Sequence, residues 1–327
     1  MVALLTVCCV GVAGCTTESS AGPEGEKSEA FSFTDDRGET VEVDAGELRI
    51  VAQEDAANAL MHMGIKPVGI FGGAPLDQNP MLEGLDLSGI ESVGEVFGEI
   101  KMEKLVELNP DVIVSTFYTG DGVLFEGGVY GFGTKKMQDD ATEIAPILAI
   151  DSTQPSSQVI ERFSEMAGAM GADVESGEVA DQRAAWEESV EKLKATAAEN
   201  KDQQVLAVTP DQSQVYFAVP DAFPDLLDMQ DWGVDMMVPD GKLVSSYYEA
   251  ASWENAAKYD PDVVLVDTRG YTLGTDELEK YPTWGSMDAV KDGNVGEWVR
   301  VSLNYEDYKE QVDGLTEVLN GTGDTSP

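Results

Sequence analysis

Aromatic rings, together with a scarce cation, gather at two places in this chain of 327 residues. Phe117 and Tyr118 follow the apolar run 111–114. Tyr247, Tyr248 and Trp253 precede the similar run 263–266, and Arg269 and Tyr271 follow it. Rings supply large contact area at low conformational cost, and a guanidinium presents a planar fork that bonds two oxygens at once. Together they suit non-covalent capture of a bulky organic solute with oxygen on its surface. Phe71, after a short apolar run, Tyr130, in the glycine-rich stretch 127–133, and Tyr216, in the run 215–218, are further candidates of the same type. Arg269 stands out because Lys and Arg total 20 against 62 Asp plus Glu. The competing reading of Arg269 is an ion pair with one of those carboxylates. Trp232 and Trp284 have core packing as the competing reading.

Covalent chemistry has little to work with. The single histidine, His62, lies between Met61 and Met63 in a helical stretch, so no Ser-His-Asp constellation and no multi-imidazole metal site can be assembled. The three cysteines, Cys8, Cys9 and Cys15, all fall within the first fifteen residues, which leaves the body without disulfide or thiolate ligands. The stretch GGVYGFGTKK lacks the spacing of a phosphate-binding loop. Catalysis by paired carboxylates stays open, because so many acids make any one pair uninformative. The expectation is a protein without catalytic residues, resident metal or cofactor.

The formal charge of −42 repels polyanions and excludes nucleic acid as a partner. It reads as a solvated surface or as adaptation to high salt, where screening shortens the repulsion. The one long apolar run, 2–14, is shorter than the roughly 20 residues that cross a bilayer. It ends in Val12-Ala13-Gly14-Cys15, the spacing at which a secretory signal (1–14) is removed and a cysteine lipidated. No Lys or Arg precedes the run, a departure from ordinary signals. Residues 15–30 are polar and turn-rich, as expected of a tether. The anchor places the body on the cell surface, outside the membrane and held to it only through the lipid on Cys15.

The elements that must position the rings alternate. A hairpin is expected around the turn 35–38, strands near 49–52, 68–71, 111–114 and 146–150, and helices over 54–63 and 101–108. After Pro155 the apolar period becomes helical, and strand signals return at 205–208, 215–218, 263–266 and 295–299, with a last helix over 305–319. Such alternation predicts an α/β fold with mostly parallel sheets covered by helices. One unit occurs twice. EKLVELNPDVIV from Glu103 and ENAAKYDPDVVLV from Glu254 each place a glutamate seven positions before Pro-Asp-Val. The ring clusters therefore flank the ends of equivalent strands, where α/β sheets bind ligands and where two lobes can face one solute.

The ordered set DDRGETVEV, RIVAQEDAANALMHMGIKPVGI, EKLVELNPDVIV, SWENAAKYDPDVVLVDTR and YPTWGSMDAVKDGNVGEWV resembles the substrate-binding lipoproteins of ABC importers for ferric siderophores, the class III periplasmic-binding-protein type. The likeness runs from about Phe31 to Leu319. It implies an N-terminal α/β lobe at 31–153, a single long helix at 154–171 joining it to a C-terminal lobe at 172–320, and a tail at 321–327. It also implies a shallow cleft that closes little, a monomer, a ferric siderophore as ligand, and a permease that meets Glu103 and Glu254. The extreme acidity and the insert 127–133 depart from the family pattern. Charge favours a hydroxamate chelate, near neutral or weakly cationic, over a ferric tris-catecholate of about −3. The alternatives are a receptor for haem, cobalamin or another chelate, a surface enzyme using carboxylates, and a lipoprotein that only binds other proteins.

Overall fold

A computed structural model describes residues 30–43, 46–119, 124–269, 272–299 and 303–321. The signal, most of the tether, Cys15 and Tyr271 lie outside these residues. The chain opens with the hairpin β1 (Phe31–Thr34) and β2 (Thr40–Val43). It continues as β3 (Ile50–Gln53), α1 (Glu54–His62), β4 (Gly69–Phe71), β5 (Glu91–Gly94), α2 (Met102–Leu108), β6 (Val112–Phe117), α3 (Lys135–Thr142) and β7 (Ile147–Asp151). The strands after the hairpin form one sheet in the order β5-β4-β3-β6-β7, with every neighbouring pair parallel. The continuous apolar character of β3 and β6 follows, because both faces of a parallel sheet are covered.

Two helices, α4 (Ser156–Ala169) and α5 (Gly177–Glu199), come next, ahead of a second sheet. There follow β8 (Gln204–Pro210), β9 (Gln214–Ala218), α6 (Pro224–Asp231), β10 (Asp235–Met236), β11 (Tyr248–Ser252), β12 (Val263–Asp267), α7 (Thr275–Leu278), α8 (Asp288–Lys291), β13 (Val295–Trp298) and α9 (Tyr305–Leu319). The second sheet runs β11-β9-β8-β12-β13. The loop between β8 and β9 is too short for a parallel crossover, so these two strands pair antiparallel. The repeated unit takes the same place in both sheets, since β6 lies between β3 and β7 as β12 lies between β8 and β13. The helical segments before the two strands differ. The first is α2, ended by Asn109 in the left-handed region at φ 43°; the second shrinks to a 3-10 turn at Trp253–Asn255.

The lobes share a buried seam. One apolar cluster runs without a break from Ile50, Leu60 and Val114 of the first lobe through Phe163 and Leu193 to Val205, Leu226 and Leu315 of the second. Trp186 of α5 lies 6.1 Å from Tyr308, 5.5 Å from Tyr305 and 6.3 Å from Trp232, ring centre to ring centre. Polar groups fix the register. Asp228 of α6 accepts from the Ser157 backbone N–H at 2.7 Å, from Ser157 Oγ at 2.6 Å and from Tyr308 Oη at 2.7 Å. The carboxylate thereby caps α4, whose own cap residue, Pro155, offers no side-chain bond. Asn304, at the start of α9, donates from Nδ2 to Asn58 Oδ1 of α1 at 3.0 Å.

Asp228→Ala orphans the fully buried Tyr308 hydroxyl, at a cost of about 1–3 kcal/mol, and takes the cap of α4 from the half-buried Ser157 donors. Urea unfolding should show a loss of at least about 2 kcal/mol, and a variant as stable as the parent would contradict the capping role.

Candidate ligand-binding site

Between the lobes lies a cleft of about 630 Å³, within the range of small-molecule sites. The first lobe contributes the ends of three strands: Asp55 beyond β3, Thr116, Tyr118 and Thr119 at β6, and Ser152 and Thr153 beyond β7. These are carboxyl ends of adjacent parallel strands, the position at which α/β sheets bind ligands. Asp55 is set there by α1, whose first turn Gln53 caps by accepting from the Asp55 backbone N–H at 3.0 Å. The glycine-rich insert supports the same wall from behind. Ser115 Oγ donates to the Tyr130 carbonyl and the Tyr130 N–H to the Thr116 carbonyl, both at 2.8 Å. Gly131, at φ +87°, passes so close to Phe71 that a Cβ would lie 2.6 Å from the ring.

The second lobe supplies an aromatic wall. Phe223 is 4.8 Å from Trp298, 5.7 Å from Tyr247 and 5.4 Å from Tyr248, ring to ring. The rings meet mostly edge to face, which the aromatic quadrupole favours. Arg269 lies on this wall with its guanidinium carbon 5.0 Å from the Trp298 ring centre. Its Nε donates to Asp267 Oδ1 at 2.7 Å and its Nη2 to Asp267 Oδ2, and Nη2 also faces Tyr248 Oη at 3.3 Å. Asp267 is fully buried and also accepts from Thr209 Oγ1 at 2.9 Å. The competing sequence reading of Arg269, an ion pair, is thus realised at the cleft wall: one edge of the fork is committed to a carboxylate, and the pair contributes little net charge.

Acids complete the wall. Asp221 and Asp225 line the cleft from the second lobe as Asp55 does from the first. Asp225 Oδ2 accepts from Trp298 Nε1 at 2.6 Å and from Gln311 Nε2 at 3.1 Å. Burial pushes its carboxyl above the usual range, against the opposing effect of these donors and of Arg269. Burial likewise raises Asp228.

Of the ring and cation candidates read from sequence, the cleft brings together Tyr118, Tyr247 and Arg269. Tyr130 stands behind Tyr118, 5.3 Å away, and next to Phe97. Tyr248 and Tyr216 pair behind the aromatic wall, 5.6 Å apart. Phe117 faces an adjoining hollow that shares Tyr118 with the cleft. Phe71 and Trp253 are not brought to the cleft. Phe71 is 2% exposed and packs its ring against Phe132 in the first-lobe core. Trp253 is buried, donates to the Asp211 carbonyl and stacks on Tyr281 at 3.6 Å. Trp232 belongs to the seam and Trp284 to the second-lobe core. Glu103 and Glu254 are exposed on the first turns of α2 and of the 3-10 turn before β12. The Ser252 hydroxyl holds Glu254 below the usual carboxylate range. Sequence reasoning missed Phe223, Trp298, Thr116 and the acids of the cleft. Trp298 ends a strand equivalent in place to β7, a signal that was available.

The model of the periplasmic binding protein family matches residues 92–299. That is well over half of the chain, and the chain belongs to this family. It is an extracytoplasmic binding protein and not an enzyme, which sets aside the carboxylate-catalysis alternative. Among solved structures, DesE, a ferric-siderophore receptor protein from Streptomyces coelicolor, is 29% identical, with TM-score 0.75, over 88% of this chain and 97% of that one. FeuA, the triscatecholate siderophore binding protein of Bacillus subtilis, is 18% identical, with TM-score 0.62, over 88% and 98% of the two chains, and shows the shared fold. The Fe(3+)-citrate-binding protein YfmC of Bacillus subtilis is 23% identical over 304 residues, 90% of this chain and 87% of that protein. Among the described residues no helix is long and apolar enough to cross a membrane.

Asp225→Asn keeps an acceptor for Trp298 and Gln311 and removes a buried charge. Because the native carboxyl is raised above its unfolded value, the parent carries a penalty at high pH that fades as pH falls through the native value. The variant should be at least as stable as the parent at pH 8, with an advantage that shrinks on acidification. Thermal melts across pH check this, and an advantage that grows towards acid would contradict the sign.

Proposed function

We propose that this protein is the lipid-anchored receptor of an ABC importer, held to the membrane by Cys15, which captures a ferric siderophore of hydroxamate type and hands it to the permease. The family supports the class of function, and the names of DesE and YfmC support ferric chelates as cargo. The observation that carries the finer reading is the charge of the cleft. Among its described lining residues the only cation is Arg269, engaged with buried Asp267, while Asp55, Asp221 and Asp225 face the same space. A ferric tris-catecholate of about −3 needs several cations in reach. A hydroxamate chelate needs aromatic area and a few hydroxyls, which Tyr118, Tyr247, Thr116 and Ser152 supply. We read the lobes as 31–153 and 172–320, joined at 154–171, with signal 1–14 and tether 15–30, and the receptor as a monomer. Glu103 and Glu254 are read as the permease contacts, one per lobe, each a carboxylate left exposed at the start of a helical turn.

Titration of intrinsic fluorescence with ferric hydroxamates and ferric catecholates should give at least about tenfold tighter binding of a hydroxamate, a difference of about 1.4 kcal/mol. Tighter binding of a ferric catecholate than of every hydroxamate, at low salt, would overturn the ligand assignment. The double change Glu103→Ala with Glu254→Ala should leave that affinity unchanged and reduce uptake in cells. Normal uptake with lost binding would contradict the docking role.

A further inference from the structure

An oxygen-covered chelate meets a shortage of donors in this cleft. The guanidinium of Arg269 is turned onto buried Asp267, while Asp55, Asp221 and Asp225 line the same space. An ionised carboxylate only accepts hydrogen bonds, whereas a protonated one also donates. Asp225 is the acid placed to make that change. It stands on the first turn of α6, 7% exposed, and its Oδ2 accepts from Trp298 Nε1 at 2.6 Å and from Gln311 Nε2 at 3.1 Å. No other described residue donates to its Oδ1. A proton on Oδ1 leaves both bonds to Oδ2 in place and gives the cleft an O–H donor.

The surroundings favour the neutral form of Asp225 over that of its neighbour. Asp228, one turn further along α6, is bonded at both oxygens, Oδ1 by Ser157 Oγ and Oδ2 by the Ser157 N–H and Tyr308 Oη. The two carboxylates repel one another. From α9 come Gln311 and Tyr308, whose hydroxyl burial keeps neutral, and from β13 the indole of Trp298. Arg269 favours the charged form, but Asp267 shares its charge, and Asp55 and Asp221 are further acids on the same space. A ligand that fills the cleft removes the water still reaching Asp225, which disfavours its charge further.

We propose that the cleft takes up its chelate together with a proton, which binds at Asp225 Oδ1 and is shared in a hydrogen bond with a ligand oxygen. The carboxylate and a proton from solvent become a neutral carboxyl, and no other bond is made or broken. This rests on reading the cleft as a hydroxamate site and supplies the means by which an acid-lined site accepts an oxygen surface. By linkage, affinity falls as pH rises above the value at which Asp225 titrates in the free protein, by up to about tenfold per pH unit.

The test uses the mature protein and a ferric trihydroxamate that carries no group titrating between pH 5 and pH 8. Calorimetry in buffers of different ionisation heat should show net proton uptake on binding, and the parent should bind at least about tenfold tighter at pH 5 than at pH 8. Asp225→Asn fixes the neutral form, with Oδ1 left to accept from Trp298 and Gln311 and Nδ2 to donate to the ligand. This variant should bind without proton uptake, more tightly than the parent at pH 8, and its affinity should change by less than about twofold between the two pH values. Parent binding that ignores pH and takes up no proton overturns the proton site. A pH dependence that persists in Asp225→Asn overturns it too, as does loss of binding in a folded Asp225→Asn. Failure of the parent to bind the trihydroxamate at any pH overturns the reading of the cleft itself, and the proton site with it.

Discussion

The Asp228 carboxylate accepts three hydrogen bonds, two from Ser157 at the start of α4 and one from Tyr308 in α9. Those partners come from the crossing helix and from the last helix of the chain, so one side chain on α6 ties the crossing helix to the second lobe. Burial makes the arrangement costly to leave half-made, because the Tyr308 hydroxyl, once released, stays out of water. The rings of Trp186, Trp232, Tyr305 and Tyr308 close over it, and the apolar cluster continues through it from one sheet to the other. A seam of this kind resists hinge bending. It also fixes the cleft, since Asp225 lies one helical turn before Asp228 on α6 and Ser156 adjoins Ser157. The cleft is therefore shaped before any ligand arrives, and binding costs little reordering of the protein.

Electrostatics act on two scales. Over the whole surface, the −42 charge lowers the local concentration of anions and raises that of cations, an effect that salt shortens. Inside the cleft the distances are short, and among its described lining residues the one cation, Arg269, is paired with buried Asp267. Had that arginine faced the solute without a buried counter-charge, the site would suit an anionic chelate. With Asp267 holding it, the cleft joins aromatic surface to hydroxyls and acids.

Much of this was legible in the sequence, and what was not has physical causes. The runs of Val and Ile in β3, β6, β8 and β12 are apolar on both faces and stand out as buried parallel strands. β5, with the sequence Glu-Ser-Val-Gly at an edge of the first sheet, and β11, rich in Ala at an edge of the second, do not, because these edge strands are only partly covered. The repeat located the two equivalent strands, and so found Tyr118, Tyr247 and Arg269. Trp253 follows Tyr247 and Tyr248 closely in sequence, but β11 and the 3-10 turn after it carry the indole into the core against Tyr281. Phe71 is drawn inward by the glycine insert, a contact between segments far apart in sequence. Thr116 and Asp55 carried no local signal at all. A threonine in a buried strand and an acid in a first helical turn are both ordinary, and only the placement of β3 beside β6 brings both to one cleft.

The central claim is that the ligand sits between the lobes and touches both in a cleft that is already formed. Amide hydrogen exchange, measured with and without a ferric trihydroxamate, tests it most directly. The account predicts new protection at 116–119 and 152–157 in the first lobe and at 219–225 and 246–248 in the second, with exchange along α5 unchanged. Protection confined to one lobe, or placed in the groove between β13 and α9, would contradict it, as would a large change along α5.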